Sequence, residues 1–432
     1  ALLPNAASYT PQVARDIQVR GPIAFSAASP LVKTTNYMTL RKKDRHNPRA
    51  ASSLLAKNSS LISLFGSAQF DTNVTFGDQT FELLVDTGSS DTWVIHSDFT
   101  CVNQTTSALL TQAACAFGPA YTKTPEFVQI PEENFNITYG DGEFLTGILG
   151  YENLTLAGIT VNTTIPIVDF AAWDGDGTSS GLLGLGYPNV TRAYVGTDPH
   201  NDSVHAFYDP IFTTMYKQGL VAPMFSLAIE RDLSGPAGYL ALGGLPPVDF
   251  VEEFTSTPIV ITRLANTQKY PVGYDFYSIN MDAVVLDNVS LPSAANGTAY
   301  SYLVDSGTTL NYFPTELADA VAAAYDPPAT HQPDDDGTYY VDCNATAPGL
   351  GLTIGGTTFW TNPIDMIQVS GTDDDGNDIC VSGIYNEGSD PTTDKYVLGC
   401  TFFKNVVAVF DVGAVEMRFA AREYYDSNNF GT

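Results

Sequence analysis

Short apolar runs alternate along this chain with clusters of Gly, Asn, Asp and Pro. Segments 79–85, 151–161, 224–229, 238–242 and 406–410 carry β-type residues and stop at turn residues. That rhythm predicts many short strands and an all-β architecture. Helical spacing is scarce. The clearest helix follows Pro314: Thr315 is placed to cap, Glu316 sits in the first turn, and 317–325 is alanine-rich. Segments 331–338 and 371–378 are polar and read as surface loops.

One stretch of the pattern occurs twice. Leu84-Val85-Asp86-Thr87-Gly88-Ser89-Ser90 and Leu303-Val304-Asp305-Ser306-Gly307-Thr308-Thr309 share one order: apolar, apolar, Asp, hydroxyl, Gly, hydroxyl, hydroxyl. Each is followed by an apolar pair and a glycine. Gly184 of Leu182-Leu183-Gly184 lies 98 residues beyond Asp86, and Gly399 of Val397-Leu398-Gly399 lies 94 beyond Asp305. Two related lobes explain the repeat, and 432 residues with 44% hydrophobic content suffice for two cores.

In each copy an apolar strand delivers a carboxylate to a sharp turn. Gly88 and Gly307 permit close backbone approach. The hydroxyls of Thr87, Ser89, Ser306 and Thr308 can bond carboxylate oxygens or nearby backbone. One Asp-x-Gly turn is ordinarily structural. Two, facing across a two-fold axis, would bring Asp86 and Asp305 within hydrogen-bond reach. Carboxyls that close cannot both ionise cheaply, so they share a proton. One can then act as base on a water while the other polarises a carbonyl and protonates a leaving amine. The titration belongs to the pair.

Charge changes the picture. Only 16% of residues are charged, yet the net charge is −29. Residues 1–57 hold nine basic and two acidic residues, +7; the rest holds ten basic and 46 acidic, −36. The acidic body argues against a nucleic-acid partner. The opposite fields suggest a basic pro-segment that docks on it. No run approaches the ~18 apolar residues of a membrane span. Eleven Asn-x-Ser/Thr sequons, at Asn58, Asn73, Asn103, Asn136, Asn153, Asn162, Asn189, Asn201, Asn288, Asn296 and Asn344, point to a secreted glycoprotein. Among five cysteines the expected pairs are Cys101–Cys115 and Cys343–Cys380, leaving Cys400 as a buried thiol. Five His and no Cys-x-x-Cys or His-x-x-x-His pattern call for neither metal nor cofactor.

From about Phe65 to Ala420 the chain resembles the pepsin-like aspartic proteases, its fungal members above all. The resemblance rests on Asp86-Thr-Gly-Ser-Ser-Asp-Thr-Trp93, Tyr139-Gly-Asp-Gly142, Gly181-Leu-Leu-Gly-Leu-Gly186, Leu242-Gly-Gly244, Asp305-Ser-Gly-Thr-Thr309 and Val397-Leu-Gly399 with Phe402 beyond. It implies a bilobal β fold with a cleft, and a secreted acid endopeptidase that cuts next to apolar residues.

By the resemblance, Asp86 and Asp305 match the catalytic aspartates. Thr87 and Ser306 match hydroxyls that bond across the lobe interface, and Ser89 and Thr308 match outer partners of the carboxylates. Tyr139, Gly140 and Asp141 match a mobile flap, Trp93 the tyrosine's hydrogen-bond partner, and Leu182 and Trp173 an apolar subsite. Asp141 could receive a basic substrate side chain or be a plain turn acid. Ser180 and Cys400 stand where the family usually has Asp, and neither is expected to touch the pair.

Family zymogens block the cleft with a basic residue, for which Lys42, Lys43 and Arg45 are candidates. Expected units are a propeptide over 1–54, an N-terminal lobe over 55–240 and a C-terminal lobe over 241–432. Expected partners are peptide and protein substrates, pepstatin-type inhibitors and the chain's own propeptide, with the protein a monomer. Extracellular release or residence in an acidic vacuole would both suit it. Two other readings stand against this one. An inactive ligand-binding member of the fold would usually lack an aspartate or the flap tyrosine, and a structural surface glycoprotein would show no pepstatin-sensitive activity.

Overall fold

The structure is a computed structural model that describes residues 28, 30–44, 68–231, 236–261, 273–295, 298–331, 337–373, 375–390 and 395–422. Arg45, Asn58 and Asn296 lie outside them, as do the side chains of Lys42 and Lys43.

The first half of the chain forms β1 (Tyr37–Asp44), β2 (Ala68–Phe76), β3 (Gln79–Asp86), β4 (Trp93–Val102) and β5 (Leu109–Leu110). It continues with β6 (Val128–Thr138), β7 (Phe144–Leu156), β8 (Ile159–Ala172), β9 (Gly181–Gly184), β10 (Ala193–Val195) and α1 (Ile211–Lys217). The run 151–161 is therefore two strands, not one. Ala157 (φ 51°) and Gly158 (φ 78°) both turn left-handed and close the hairpin between β7 and β8.

Then follow β11 (Met224–Ile229), β12 (Pro236–Leu242), β13 (Thr255–Pro258), β14 (Ser278–Asn280), β15 (Ser301–Val304), β16 (Asn311–Pro314) and α2 (Thr315–Ala323). The chain closes with β17 (Ile384–Gly388), β18 (Tyr396–Leu398), α3 (Cys400–Phe403), β19 (Val406–Asp411) and β20 (Glu416–Ala421). Pro314, not Thr315, precedes the helix α2, and the Thr315 hydroxyl instead donates to Asn386 Oδ1 at 2.8 Å. Among the described residues no helix is long and apolar enough to cross a membrane.

A 15-stranded sheet runs β10-β6-β7-β8-β4-β9-β3-β2-β1-β12-β11-β19-β20-β13, with β5 on β4 and a further β7–β2 pairing. It carries strands from both halves of the chain, and β12 straddles positions 240 and 241. The lobes thus share a sheet. A five-stranded sheet, β14-β15-β18-β16-β17, holds the second Asp motif. At the junction an aromatic seam fills the core: Phe225 stacks on Phe410 at 4.5 Å, and Tyr277 meets Phe410 at 4.7 Å and Tyr187 at 4.8 Å. Tyr277 also donates its hydroxyl to the Leu185 carbonyl at 2.7 Å, across the lobes. Cys101 is bonded to Cys115 and Cys343 to Cys380, and Cys400 is buried outside both disulfides.

Candidate active site

The repeated motif and its follower are strand neighbours. β3 runs parallel to β9, with Leu84 opposite Leu182 and Asp86 opposite Gly184. β15 runs parallel to β18, with Leu303 opposite Val397 and Val304 opposite Leu398. β9 is flanked on its other side by an antiparallel strand, Trp93 against Leu182, and β18 likewise, Tyr312 against Val397. The near-equal separations in the sequence therefore reflect one strand arrangement built twice. β3 buries Leu83, Leu84 and Val85, β15 buries Tyr302 and Val304, and each strand releases its aspartate at the turn, where Asp86 is 6% exposed and Asp305 8%.

The two turns grip each other. Thr87 Oγ1 donates to the Val304 carbonyl at 3.0 Å and accepts from the Ser306 N–H at 3.0 Å. In mirror fashion Ser306 Oγ donates to the Val85 carbonyl at 2.8 Å and accepts from the Thr87 N–H at 3.2 Å. Each carboxylate is also held locally. Asp86 Oδ1 accepts from Gly88 N–H at 2.7 Å, and its Oδ2 from the Ser89 hydroxyl. Asp305 Oδ1 accepts from Gly307 N–H at 2.8 Å, and its Oδ2 from Thr308 Oγ1 at 2.6 Å.

The glycines are steric necessities. A Cβ on Gly88 would lie 2.6 Å from Asp305 Oδ1, and one on Gly307 2.6 Å from Asp86 Oδ1. Each turn thus leaves room only for the opposing carboxyl. Burial first, then the Asp305 charge, push the Asp86 carboxyl well above the usual range; the Ser89 and Gly88 bonds oppose this, while a hydrogen bond to Asp305 adds to it. A hydrogen bond between two carboxyls requires a proton on one of them.

The hairpin of β6 and β7 brings Tyr139 within the field of Asp86. Its turn closes by Tyr139 N–H to the Glu143 carbonyl at 2.8 Å and Gly142 N–H to the Tyr139 carbonyl at 3.1 Å, with Gly142 at φ 86°. Gly140 is exposed. Trp93 Nε1 donates to Tyr139 Oη at 2.8 Å. Burial and then the Asp86 charge hold the Tyr139 phenol well above its ordinary pKa. Trp173 packs edge-on against Trp93 at 5.4 Å and Tyr139 at 5.8 Å, and stacks on Phe117 at 5.8 Å. Leu182 is buried beneath the same aromatic group. Asp141 is exposed, and its Oδ1 accepts from Glu143 N–H at 3.0 Å, a role inside its own turn.

Lys42 and Lys43 are strand residues of β1, paired with Phe70 and Gln69. Cys400 reaches the second turn from below: its Sγ donates to the Ser306 carbonyl at 3.4 Å, so this position does touch the neighbour of Asp305. Seven described sequon asparagines are exposed: Asn73, Asn103, Asn153, Asn162, Asn201, Asn288 and Asn344. Asn136 and Asn189 are half-buried and use their amide nitrogens inside the fold, Asn136 on the Pro199 carbonyl and Asp202 and Asn189 on the Tyr274 carbonyl.

A family model described as eukaryotic aspartyl protease matches residues 69–422. The chain belongs to that family. It is 49% identical over 408 residues to a probable aspartic-type endopeptidase of Aspergillus fumigatus, covering 93% of this chain and 90% of that one. Rhizopuspepsin of Rhizopus chinensis is 26% identical, covering 79% of this chain and 74% of its own. The crystal structure of an aspartic proteinase from Irpex lacteus matches with TM-score 0.61 at 21% identity, over 82% of this chain and 95% of that one, a likeness of fold. The protein is an aspartic endopeptidase of the pepsin-like type, a hydrolase acting on peptides.

Around the pair this aspartic endopeptidase also uses residues that sequence reasoning left unassigned. Asp91 is fully buried under the first turn. Its Oδ1 accepts from Tyr208 Oη at 2.6 Å, and both oxygens from Arg192 N–H at 3.1 Å. Burial, partly opposed by those bonds, raises its carboxyl to about 6. Glu143 is buried at the hairpin base, and its Oε1 accepts from Asp174 N–H at 2.7 Å. Asp91 stood within a quoted motif; partners 101 and 117 residues away carry no local signal.

Proposed function

We propose that Asp86 and Asp305 are the catalytic pair of a secreted acid endopeptidase made as a zymogen. The reading is supported above all by the crossed hydrogen bonds of Thr87 and Ser306, which fix the two carboxyls face to face. Paired carboxyls sharing a proton are the known device of aspartic proteases, taken over as such. The ionised member takes a proton from a water held between the two, and the water attacks the scissile carbonyl. The protonated member donates to that carbonyl oxygen, and the proton taken from water then passes to the leaving amine. Tyr139 closes over the extended peptide, with Thr87, Gly88, Ser89, Ser306, Gly307 and Thr308 holding the pair. The aromatic group of Trp93, Phe117, Tyr139 and Trp173 suits an apolar side chain beside the cleaved bond.

Residues 1–54 are the propeptide, 55–240 the first lobe and 241–432 the second. β1 supports the zymogen reading. This basic strand lies between β2 and β12 in the shared sheet, and Arg41 pairs with Glu82 at 2.6 Å. Asp71 faces Leu84 on one side and Arg41 on the other, so β1 runs toward the end of the sheet where Asp86 emerges. The backbone of Lys42 and Lys43 thereby runs toward that end of the sheet. Acid protonates the body's carboxylates, weakens their hold on the basic segment and releases it. The exposed sequons carry glycans, whereas Asn136 and Asn189 do not.

The test is acid incubation of the full chain with a denatured protein at about pH 4, near carboxyl pKa values, with and without pepstatin, followed by peptide mapping. The expected result is pepstatin-sensitive cleavage beside apolar residues and a new N-terminus within 46–60. An unchanged N-terminus contradicts the zymogen reading, and cleavage that pepstatin does not touch contradicts the catalytic one.

A further inference from the structure

We propose that the disulfide-closed loop 101–115 is a latch on the flap, and that Gln104 is the positioning residue that sets how firmly the flap closes over a peptide. The proposal rests on the reading of Tyr139–Gly142 as a mobile lid.

The loop is built to hold one side chain in place. Cys101, at the end of β4, is bonded to Cys115, with the two Cα atoms 6.0 Å apart. Inside the loop Asn103 Oδ1 accepts from Thr105 N–H at 3.1 Å and from Thr106 N–H and Oγ1, both at 2.9 Å. β5 folds back to pair Leu110 with Cys101 and Leu109 with Val102. Gln112 Nε2 ties the loop to the Phe99 carbonyl at 2.7 Å. Between these anchors Gln104 Nε2 donates to the Asp141 carbonyl at the flap tip, at 2.9 Å.

The tip otherwise bonds to itself. Tyr139, Gly142 and the Asp141 carboxylate close the turn internally. Among the described residues, two hydrogen bonds reach residues 139–142 from outside the hairpin: Trp93 to the Tyr139 hydroxyl, and Gln104 to the Asp141 carbonyl. The first sits in the aromatic group. The second is exposed, so water can replace it when the flap lifts. Gly142 matches this contact from the flap side: a Cβ there would lie 2.7 Å from Gln104 Nε2. The bond exists while Trp93 holds the Tyr139 hydroxyl at 2.8 Å. Losing it lowers the closed fraction, weakens apparent substrate affinity by that factor, and leaves chemistry within the closed complex alone.

The test is steady-state kinetics of acid-activated Gln104→Ala on an apolar peptide substrate, with thermal melting alongside. The expected result is a KM raised about three- to tenfold, the scale of one exposed hydrogen bond, with kcat within about twofold and an unchanged Tm. Gln104→Glu supplies a second readout. An ionised carboxylate cannot donate to the Asp141 carbonyl and a protonated one can, so its KM defect is present at about pH 5.5 and shrinks at about pH 3.5. Wild-type KM in Gln104→Ala, a fall in kcat alone, or a fall in Tm in its place overturns the latch. Tyr139→Ala separates the two layers. If it is impaired while Gln104→Ala is normal, only the latch fails; if it is fully active, the lid reading fails and takes the latch with it.

Discussion

Gly88 and Gly307 show how residue identity at single positions sets the chemistry of the site. Each leaves the space that the opposing carboxyl fills, and no side chain could share it. These residues were legible because hydroxyls and glycine recur around both aspartates in one order. Asp91 was not. Its meaning lies in Tyr208 and in the backbone of Arg192, which only the folded chain brings near. Its carboxyl rises from 3.8 to about 6, chiefly through burial. A raised folded-state pKa means the native protein binds the extra proton. That stability is fully present below the unfolded pKa near 4 and is lost as pH rises through about 6. A shift of this size corresponds to about 3 kcal/mol. Asp91→Asn is therefore expected to flatten the decline of Tm between pH 4 and 6. A slope equal to that of the wild type would contradict the assignment.

At the scale of elements, the strands were readable wherever an apolar run met a clear turn residue. The run 151–161 misled because its break is Ala157-Gly158, and alanine gives no warning of a left-handed turn. β1 was hidden for another reason. Three consecutive cationic residues conceal a strand whose buried anchor is Leu40, so the segment reads as charge rather than structure. The pairing of β3 with β9 and of β15 with β18 was foreshadowed by the repeat, whereas the order of the shared sheet was not. The join between the two Asp turns depends on two hydroxyls. Thr87→Val keeps the volume but strands the Val304 carbonyl and the Ser306 N–H, both bonded to Thr87 Oγ1. The expected cost is about 2–4 kcal/mol in denaturant unfolding, with reduced activity. A cost near zero would mean that the crossed bonds do not hold the lobes in register.

Across the whole molecule four of the body's ten cations are spent internally. Arg231, Lys404, Arg418 and Arg422 are all less than 9% exposed. Arg231 forks onto Asp365, which also takes a bond from Asn405, and Arg418 pairs with Asp411. The Arg231–Asp365 contact spans 134 residues of sequence, beyond any local pattern. Buried acids outnumber those cations, yet the acidic excess of the body is large enough to leave its surface strongly acidic. On the proposed zymogen reading, such a surface would attract the basic N-terminal segment at neutral pH and release it in acid. The asymmetry of charge was legible in the sequence, and the internal use of the cations was not.

Cleavage by the proposed mechanism depends on two duplicated turns presenting one working pair of carboxyls. The most direct measurement is kcat/KM of separately purified Asp86→Asn and Asp305→Asn proteins, their pro-segments removed in the same way by an added protease, on one peptide at acid pH. Each is predicted to lose about a thousandfold or more while melting no lower than the unsubstituted enzyme, since either change removes a buried charge conflict. A folded variant of either kind that keeps activity within tenfold of the parent would contradict it.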